Sequence, residues 1–341
     1  MALAIVVDVV GARDSVGSYE RLLPSVSMAA DDPSFGPAVP LDATTQGLLL
    51  SAAVAADDDA TRRTARAWLD ANRSPGGWGM STTWDPFSDG SPTPAGTPSA
   101  STTAFAIDGL LDDGMDPETA REIGAILVLW AREAWSDGFY WYSVLPQDAV
   151  DVPSVSAMLG GVTARFLAQH EGEALSLDDA TFLRERLGAT FRHLADTPLP
   201  GSRWSYSSRE PIVNYTQLHV SILWGGELAR EAGMDPRWSR SDAIASLAAY
   251  GPVYPPEVVD MAARRRRDNS PWATAGTGFA TAWTTRWGGD LRSWSSAMCR
   301  SLTLAPRVAR FDVHALLGLA MLGWCDCPDR PRALPRLATT C

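Results

Sequence analysis

Apolar residues recur at helical spacing from Leu41 onward, in segments of two kinds. Residues 42–56, 99–111, 153–169, 213–232 and 311–324 are small and apolar on every side. Residues 58–72, 116–135, 176–194 and 235–250 follow members of the first kind and carry charge along one face. A helix apolar all round must be covered on all sides, whereas an amphipathic one lies at a surface. The alternation predicts helical hairpins with an inner and an outer member. Set side by side, such hairpins form two concentric rings. The expected fold is all-α: an α/α toroid of helical-hairpin repeats, as an incomplete or complete (α/α)5-6 barrel. Asp116-Pro117-Glu118 places a cap residue, a proline at the first helical position and an acid in the first turn. Asp235-Pro236 reads the same way. Beyond residues 4–10 no segment alternates convincingly as a strand. Residues 1–40, rich in Gly, Pro and Ser, read as an N-terminal arm, 41–325 as the toroid domain and 326–341 as an irregular tail.

The loops add a second periodicity. Gly76-Gly77-Trp78-Gly79, Phe139-Tyr140-Trp141-Tyr142-Ser143 and Arg203-Trp204-Ser205-Tyr206-Ser207 each precede an inner segment, and a less regular Arg286-Trp287-Gly288-Gly289 precedes the last. Trp78, Trp141 and Trp204 are spaced by 63 positions each time (141 − 78 and 204 − 141). That interval holds about two helices and two loops, which marks a hairpin repeat. An open solenoid fits the period as well; the inner and outer alternation favours closure.

Gly76-Gly77-Trp78-Gly79 followed by Pro98-Ser99-Ala100-Ser101-Thr102-Thr103-Ala104 resembles the repeat of squalene and terpene cyclases and protein prenyltransferases. In that repeat a Gly-Gly-Trp turn precedes a Ser/Thr-rich start to an inner helix. Trp141-Tyr142-Ser143, Trp204-Ser205-Tyr206 and Asn214-Tyr215-Thr216-Gln217-Leu218-His219 are more similar to the toroidal domains of glycan-active enzymes, the C-terminal domain of glucuronyl C5-epimerases among them. The resemblance is to the α/α-toroid superfamily. It implies a cleft lined by Trp/Tyr loops and by a Tyr- and His-bearing inner helix.

Composition narrows the function. A net charge of −11 argues against an extended phosphate-binding surface, so no nucleic-acid partner is expected. The basic run Arg264-Arg265-Arg266-Arg267 reads as a solvated helix end. The apolar start is interrupted by Asp8 and no basic residue precedes it, so the chain is expected to be cytoplasmic. No apolar stretch has membrane-spanning length. The spacing of Cys299, Cys325, Cys327 and Cys341 is not a zinc-ribbon pattern, and neither metal nor cofactor is expected.

In a toroid, loops entering the inner helices build one mouth, where helix N-termini bring unpaired N–H groups and partial positive charge. Aromatic side chains on those loops offer flat faces to sugar rings or a prenyl chain. The expected lining is Trp84, Asp85, Tyr140, Trp141, Arg203, Trp204, Asn214 and Gln217 for binding. His219, Tyr215, Tyr142, Tyr206, Asp312 and His314 are the candidates for proton work. His219 and Tyr215 are four apart and share one helical face. The competing reading has His219 and Asn214 simply hydrogen-bonding across the inner ring, and Asp312 capping a helix. His170 and His193 read as ordinary exposed residues.

Asp112-Asp113-Gly114-Met115-Asp116 spells the D-D-x-x-D string of class I isoprenoid enzymes. Here it straddles a helix end, where carboxylates do not share the continuous face that magnesium bridging needs. Asp57-Asp58-Asp59 falls in an inter-helix turn. The long loop 83–97 reads either as a lid or binding loop or as a surface connector. The leading expectation is a carbohydrate-active enzyme (epimerase, lyase or hydrolase) acting on a small-molecule or oligosaccharide substrate. The alternatives are a terpenoid or prenyl cyclase that stabilises carbocations by cation–π attraction, and a non-catalytic toroid binding a glycan or peptide.

Overall fold

The computed structural model describes residues 43–55, 57–80, 83–87, 89–197, 204–209 and 216–242, with 282, 286 and 287. Its helices are α1 (Ala43–Ala55), α2 (Asp59–Ala71), α3 (Ala100–Asp113), α4 (Pro117–Glu133), α5 (Pro153–Ala174), α6 (Leu177–Asp196) and α7 (Thr216–Glu231). The described chain is predominantly helical and laid out in hairpins. Contacts divide it into two compact units, residues 1–71 with 215–220 and 247–341, and residues 72–214 with 221–246.

In the first unit α1 packs on α2. Every residue of α1 from Ala43 to Ala53 is buried, whereas α2 buries only Thr61, Ala65 and Leu69. These three are four apart, one stripe down a helix whose other faces meet water. The turn between them uses Asp57 at φ 56°. Asp58 then caps α2, its Oδ1 accepting from the Ala60 and Thr61 amides at 3.1 Å each.

The second unit repeats the contrast. α3 is buried from Ala100 to Leu111 except at Ser101, and α5 is buried from Pro153 to Leu167. α6 buries Ala180, Leu183, Leu187, Thr190, Phe191 and Leu194, spaced three and four apart. α3 packs on α5, and α5 packs on α4 and α6. α5 and α7 approach at glycine: a Cβ on Gly225 would lie 2.0 Å from the Ala157 carbonyl oxygen, and one on Gly161 would lie 2.4 Å from that of Gly225. Small residues on inner helices thus serve close packing.

The two helix types also begin differently. Asp116 caps α4, accepting from the Glu118 and Thr119 amides at 3.0 and 2.8 Å, and Ser176 caps α6 through the Asp179 amide at 3.1 Å. Such caps contribute about 1 kcal/mol each. α3 and α5 have no side-chain cap. The first amide of α3, on Ala100, donates instead to the Tyr142 carbonyl at 2.9 Å, so the start of one inner helix is held by the connector entering the next.

Three expectations need correction. A short antiparallel hairpin, β1 (Trp135–Ser136) and β2 (Phe139–Tyr140), leads out of α4. Its turn is Asp137-Gly138 with φ of 50° and 94°, the two-residue turn that matches strand twist. The aromatic run around it obscured that signal. α5 continues past residue 169 to Ala174, where His170 packs against Phe166 at 5.6 Å. Asp235-Pro236 does not open a helix. Asp235 Oδ1 accepts from the Arg237 amide at 2.8 Å, and Arg237 adopts φ 68°. Ser239 Oγ accepts from the Asp242 amide at 3.0 Å, with helix beginning at residue 240. Residues 1–40, 311–324 and 326–341, the Arg264–Arg267 run and the four cysteines lie outside the described residues.

Candidate functional site

Three connectors, residues 72–99, 134–152 and 204–209, meet in the second unit. In the first, the Gly-Gly-Trp turn proves architectural. Trp78 is 1% exposed; its carbonyl accepts from the Thr102 hydroxyl at 2.7 Å and the Ser99 amide at 3.0 Å. The Thr103 hydroxyl accepts from the Trp78 amide at 3.1 Å. Gly77 sits at φ 100°, and a Cβ there would meet Thr103 Oγ1 at 2.6 Å. The Ser/Thr-rich start of α3 is therefore the lock for the turn before it.

Residues 84–87 and 89–93 form an anchored loop. Trp84 and Thr93 exchange backbone hydrogen bonds of 3.0 and 2.7 Å, and Asp85 accepts from the Gly90 amide at 2.9 Å. Phe87 is buried edge-on to Tyr142, ring centroids 5.6 Å apart. The Tyr206 hydroxyl donates to the Pro86 carbonyl at 2.8 Å. Arg209 joins all three connectors: it pairs with Asp89 at 2.9 Å, donates to the Gln147 carbonyl at 2.7 Å and lies 5.1 Å over the Phe87 ring.

Two carboxylates stand at this junction. Asp148 is fully buried. Its Oδ2 accepts from the Thr93 hydroxyl at 2.7 Å and the Ser143 hydroxyl at 2.5 Å, while Oδ1 has no partner among the described residues. Asp151 holds His193 Nε2 at 2.7 Å through Oδ2, and its buried Oδ1 also has no partner among the described residues. The hydrogen bond from Asp151 raises the His193 pKa, against the lowering effect of burial; Asp151, Asp196 and Asp137 add Coulombic support. His193 is thus a half-buried, ion-paired group rather than an ordinary exposed one. A buried carboxylate oxygen without a donor is costly, so such atoms ask what fills them.

The expected lining sorts clearly. Tyr142 and Tyr206 come together on the Pro86-Phe87 segment. Trp84, Asp85, Trp141 and Tyr206 are half-buried, and the Trp141 indole donates to Ser136 Oγ at 2.9 Å. Tyr140 is fully buried, and burial raises its hydroxyl pKa well above the usual range. Trp204 is no exposed platform. It is 5% exposed, its indole donates to the Leu194 carbonyl at 2.9 Å, and Trp238 packs against it at 5.9 Å. Equal Trp spacing therefore does not mean equal environments. His219 belongs to the other unit, is fully buried, and burial pushes its pKa down to about 3, which leaves it neutral and weakly basic. Arg203, Asn214, Tyr215, Asp312, His314 and the Gln217 side chain lie outside the described residues. Asp148, Asp151 and His193 were missed; the one available hint was that both acids fall just before the helix-opening Pro153.

The D-D-x-x-D string is structurally engaged. Asp108 and Asp112 bind Arg165 at 2.8 and 2.7 Å, and Asp116 caps α4. Among the described residues no group of three or more His, Cys, Asp or Glu could hold a metal ion. Among them, too, no helix is long and apolar enough to cross a membrane.

No protein-family model matches the chain, and no curated protein matches it. Among solved structures it is similar to a cold-adapted family 8 xylanase in complex with substrate, at 11% identity over 92% of each chain and a TM-score of 0.39. At that similarity the likeness decides nothing about the site.

Proposed function

We propose that this chain is a carbohydrate-active enzyme that hydrolyses a neutral glycan at the junction of its three connectors. The observation that carries the reading is the pair Asp148 and Asp151, each with one oxygen held and the other buried and bare, beside half-buried aromatic residues. Glycoside hydrolysis uses a pair of carboxyl groups, and sugar rings stack on aromatic faces. In this reading Asp151, oriented by His193, takes the proton of the attacking water, and Asp148 gives one to the departing glycosidic oxygen through Oδ1. Trp84 and Trp141 supply faces for sugar rings. His219, neutral and weakly basic, does no proton work.

Charge narrows the substrate. Asp85, Asp89, Asp137, Asp148 and Asp151 outnumber Arg73 and Arg209 on these connectors. A uronate would bring a further negative charge to a carboxylate oxygen that has no donor, which disfavours the epimerase and lyase readings. With Asp112 and Asp116 engaged, nothing in the D-D-x-x-D string favours a diphosphate substrate. The cytoplasmic location expected for the chain forms part of the proposal, since short soluble oligosaccharides are the form of glycan found there.

The test is turnover of neutral β-1,4- and α-1,4-linked tetrasaccharides by the full chain, with reducing ends as readout. Asp151→Asn is expected to lower kcat by 10² or more, the order that a general acid–base group contributes, while circular dichroism stays unchanged. Trp84→Ala should raise KM. Turnover by Asp151→Asn within about threefold of the parent would remove the carboxylate from the chemistry. Binding without any turnover by the parent protein would make it a glycan-binding protein instead.

A further inference from the structure

The anchored loop of the first connector sits on the acid that hydrolysis would use. Asp148 is 0% exposed, and Thr93 of that loop, itself 6% exposed, donates its hydroxyl to Oδ2 at 2.7 Å. No glycosidic oxygen reaches a carboxyl group enclosed in this way until a neighbouring segment moves aside. Residues 84–87 and 89–93 are built to move as one piece. The Trp84–Thr93 backbone pair closes their base. Within the loop Asp85 accepts from the Gly90 amide and Asp89 Oδ1 from the Ser91 amide, at 2.9 Å each. A compact loop whose ends meet and whose polar groups are answered internally behaves as a unit. Gly90, at φ 82°, has open space on its Cβ side.

The fastening of this loop comes from residues 206–209. The Ser208 amide donates to the Asp151 carbonyl at 2.9 Å, which fixes that segment to the carboxylate pair. From this base the Tyr206 hydroxyl holds Pro86, and Arg209 takes two grips. Its Nη1 pairs with Asp89 in the loop, and its Nη2 donates to the carbonyl of Gln147, the residue beside Asp148. The Arg209 and Asp89 side chains are 40% and 36% exposed. An ion pair so exposed is weak and is screened by salt, which suits a fastening that releases.

We propose that residues 84–87 and 89–93 form a lid over Asp148, and that Arg209 is the positioning residue that clasps it shut. Lifted, the lid uncovers Asp148 for a substrate; lowered, it keeps water from the carboxyl group. The proposal rests on Asp148 as the acid of the hydrolytic reading, but the opening is measured without any sugar.

The experiment is chymotrypsin cleavage of the folded full chain after Phe87, which is 4% exposed and lies edge-on to Tyr142 while the lid is down. Mass spectrometry follows the cleavage, and each rate is normalised to that of a short peptide. Such rates track the population of the open form. Arg209→Gln is expected to raise the rate about two- to fivefold, the range of an exposed ion pair, and Arg209→Lys to restore part of it. Raising salt from about 0.05 to 0.5 M should speed cleavage of the parent but not of Arg209→Gln. Tyr206→Phe removes the other grip and should raise the rate independently, so the test survives a poorly folded arginine variant. Labelling of Asp148 by a water-soluble carbodiimide with glycinamide should rise in step with cleavage. Cleavage with the same urea dependence as the loss of circular dichroism overturns the proposal, because the loop would then release only when the fold does. Rates unmoved in both variants, or Asp148 labelling indifferent to them, overturn it as well. A lid that opens in a protein without turnover would refute the hydrolase reading alone. Turnover with a loop that never opens would refute this one alone.

Discussion

Arg165 offers a prediction whose size follows from geometry. It projects from inner helix α5 to two acids of α3, Nη1 lying 2.8 Å from Asp108 and Nη2 2.7 Å from Asp112. The Arg165 and Asp108 side chains are only 10% and 7% exposed. Burial alone would lower the arginine pKa, yet the two carboxylates outweigh it and hold the guanidinium above its usual range. At an effective dielectric of about 20, each contact represents about 6 kcal/mol of gross attraction. Desolvation of the ions offsets most of that, at several kcal/mol per ion. Replacing Arg165 by Met removes the attraction and leaves two acids, one turn apart, without their cation. The expected loss is about 3–5 kcal/mol. Urea unfolding followed by circular dichroism measures it. The triple variant Arg165→Met, Asp108→Leu, Asp112→Leu should recover most of the loss, since the desolvation cost leaves with the charges. A single variant that loses less than about 1 kcal/mol would mean that the triad behaves as an exposed pair, and the argument from burial would be refuted.

Further outcomes follow from the same structure. His193 has a raised folded pKa, so its pairing with Asp151 contributes fully below the ordinary histidine value and is lost as pH rises through the folded one. Asp151→Asn should lower the His193 pKa in an NMR titration and remove that share of the pH dependence of stability; an unmoved resonance contradicts the pairing. His219, pushed from 6.5 down to about 3, acts in the opposite sense: its contribution is present above the unfolded value and lost as pH falls toward 3. That amounts to as much as about 5 kcal/mol. Urea midpoints measured between about pH 7 and pH 4 should fall less steeply in His219→Gln, and an unchanged slope counts against a buried neutral imidazole. Gly225→Ala would drive a Cβ to 2.0 Å from the Ala157 carbonyl and force α5 and α7 apart. A loss of about 3 kcal/mol or more is expected, and a thermal midpoint within a degree or two of the parent would show that the helices do not cross there.

Helix type was legible because burial writes itself into composition. The unbroken apolar surface of α1 and the stripe Thr61, Ala65, Leu69 of α2 need no partner in view to be told apart. The cap at Asp116 was legible for the same reason, since it bonds amides two and three residues away. Asp235 shows the limit. Its local chemistry suits either a cap or a bend, and a positive φ at Arg237 chose the bend.

The site was less legible because its bonds are long-range. Tyr206 meets Pro86 across 120 positions, Thr93 meets Asp148 across 55, and His193 meets Asp151 across 42. An exposed-looking histidine becomes an ion-paired one through a partner that no local pattern names. An evenly repeated Trp becomes core at 78 and 204 but half-buried at 141, between the buried Tyr140 and Tyr142.

By itself the order of apolar and polar residues determined that this chain makes hairpins of a covered and a half-covered helix, since burial of side chains within a single element depends only on that element's own period. Which connector residues face one another, which carboxylate oxygens go unanswered and which indoles are walled in were decided by tertiary structure alone. Those properties belong to pairs of groups far apart in the chain, and their energies do not exist until folding brings the pairs together.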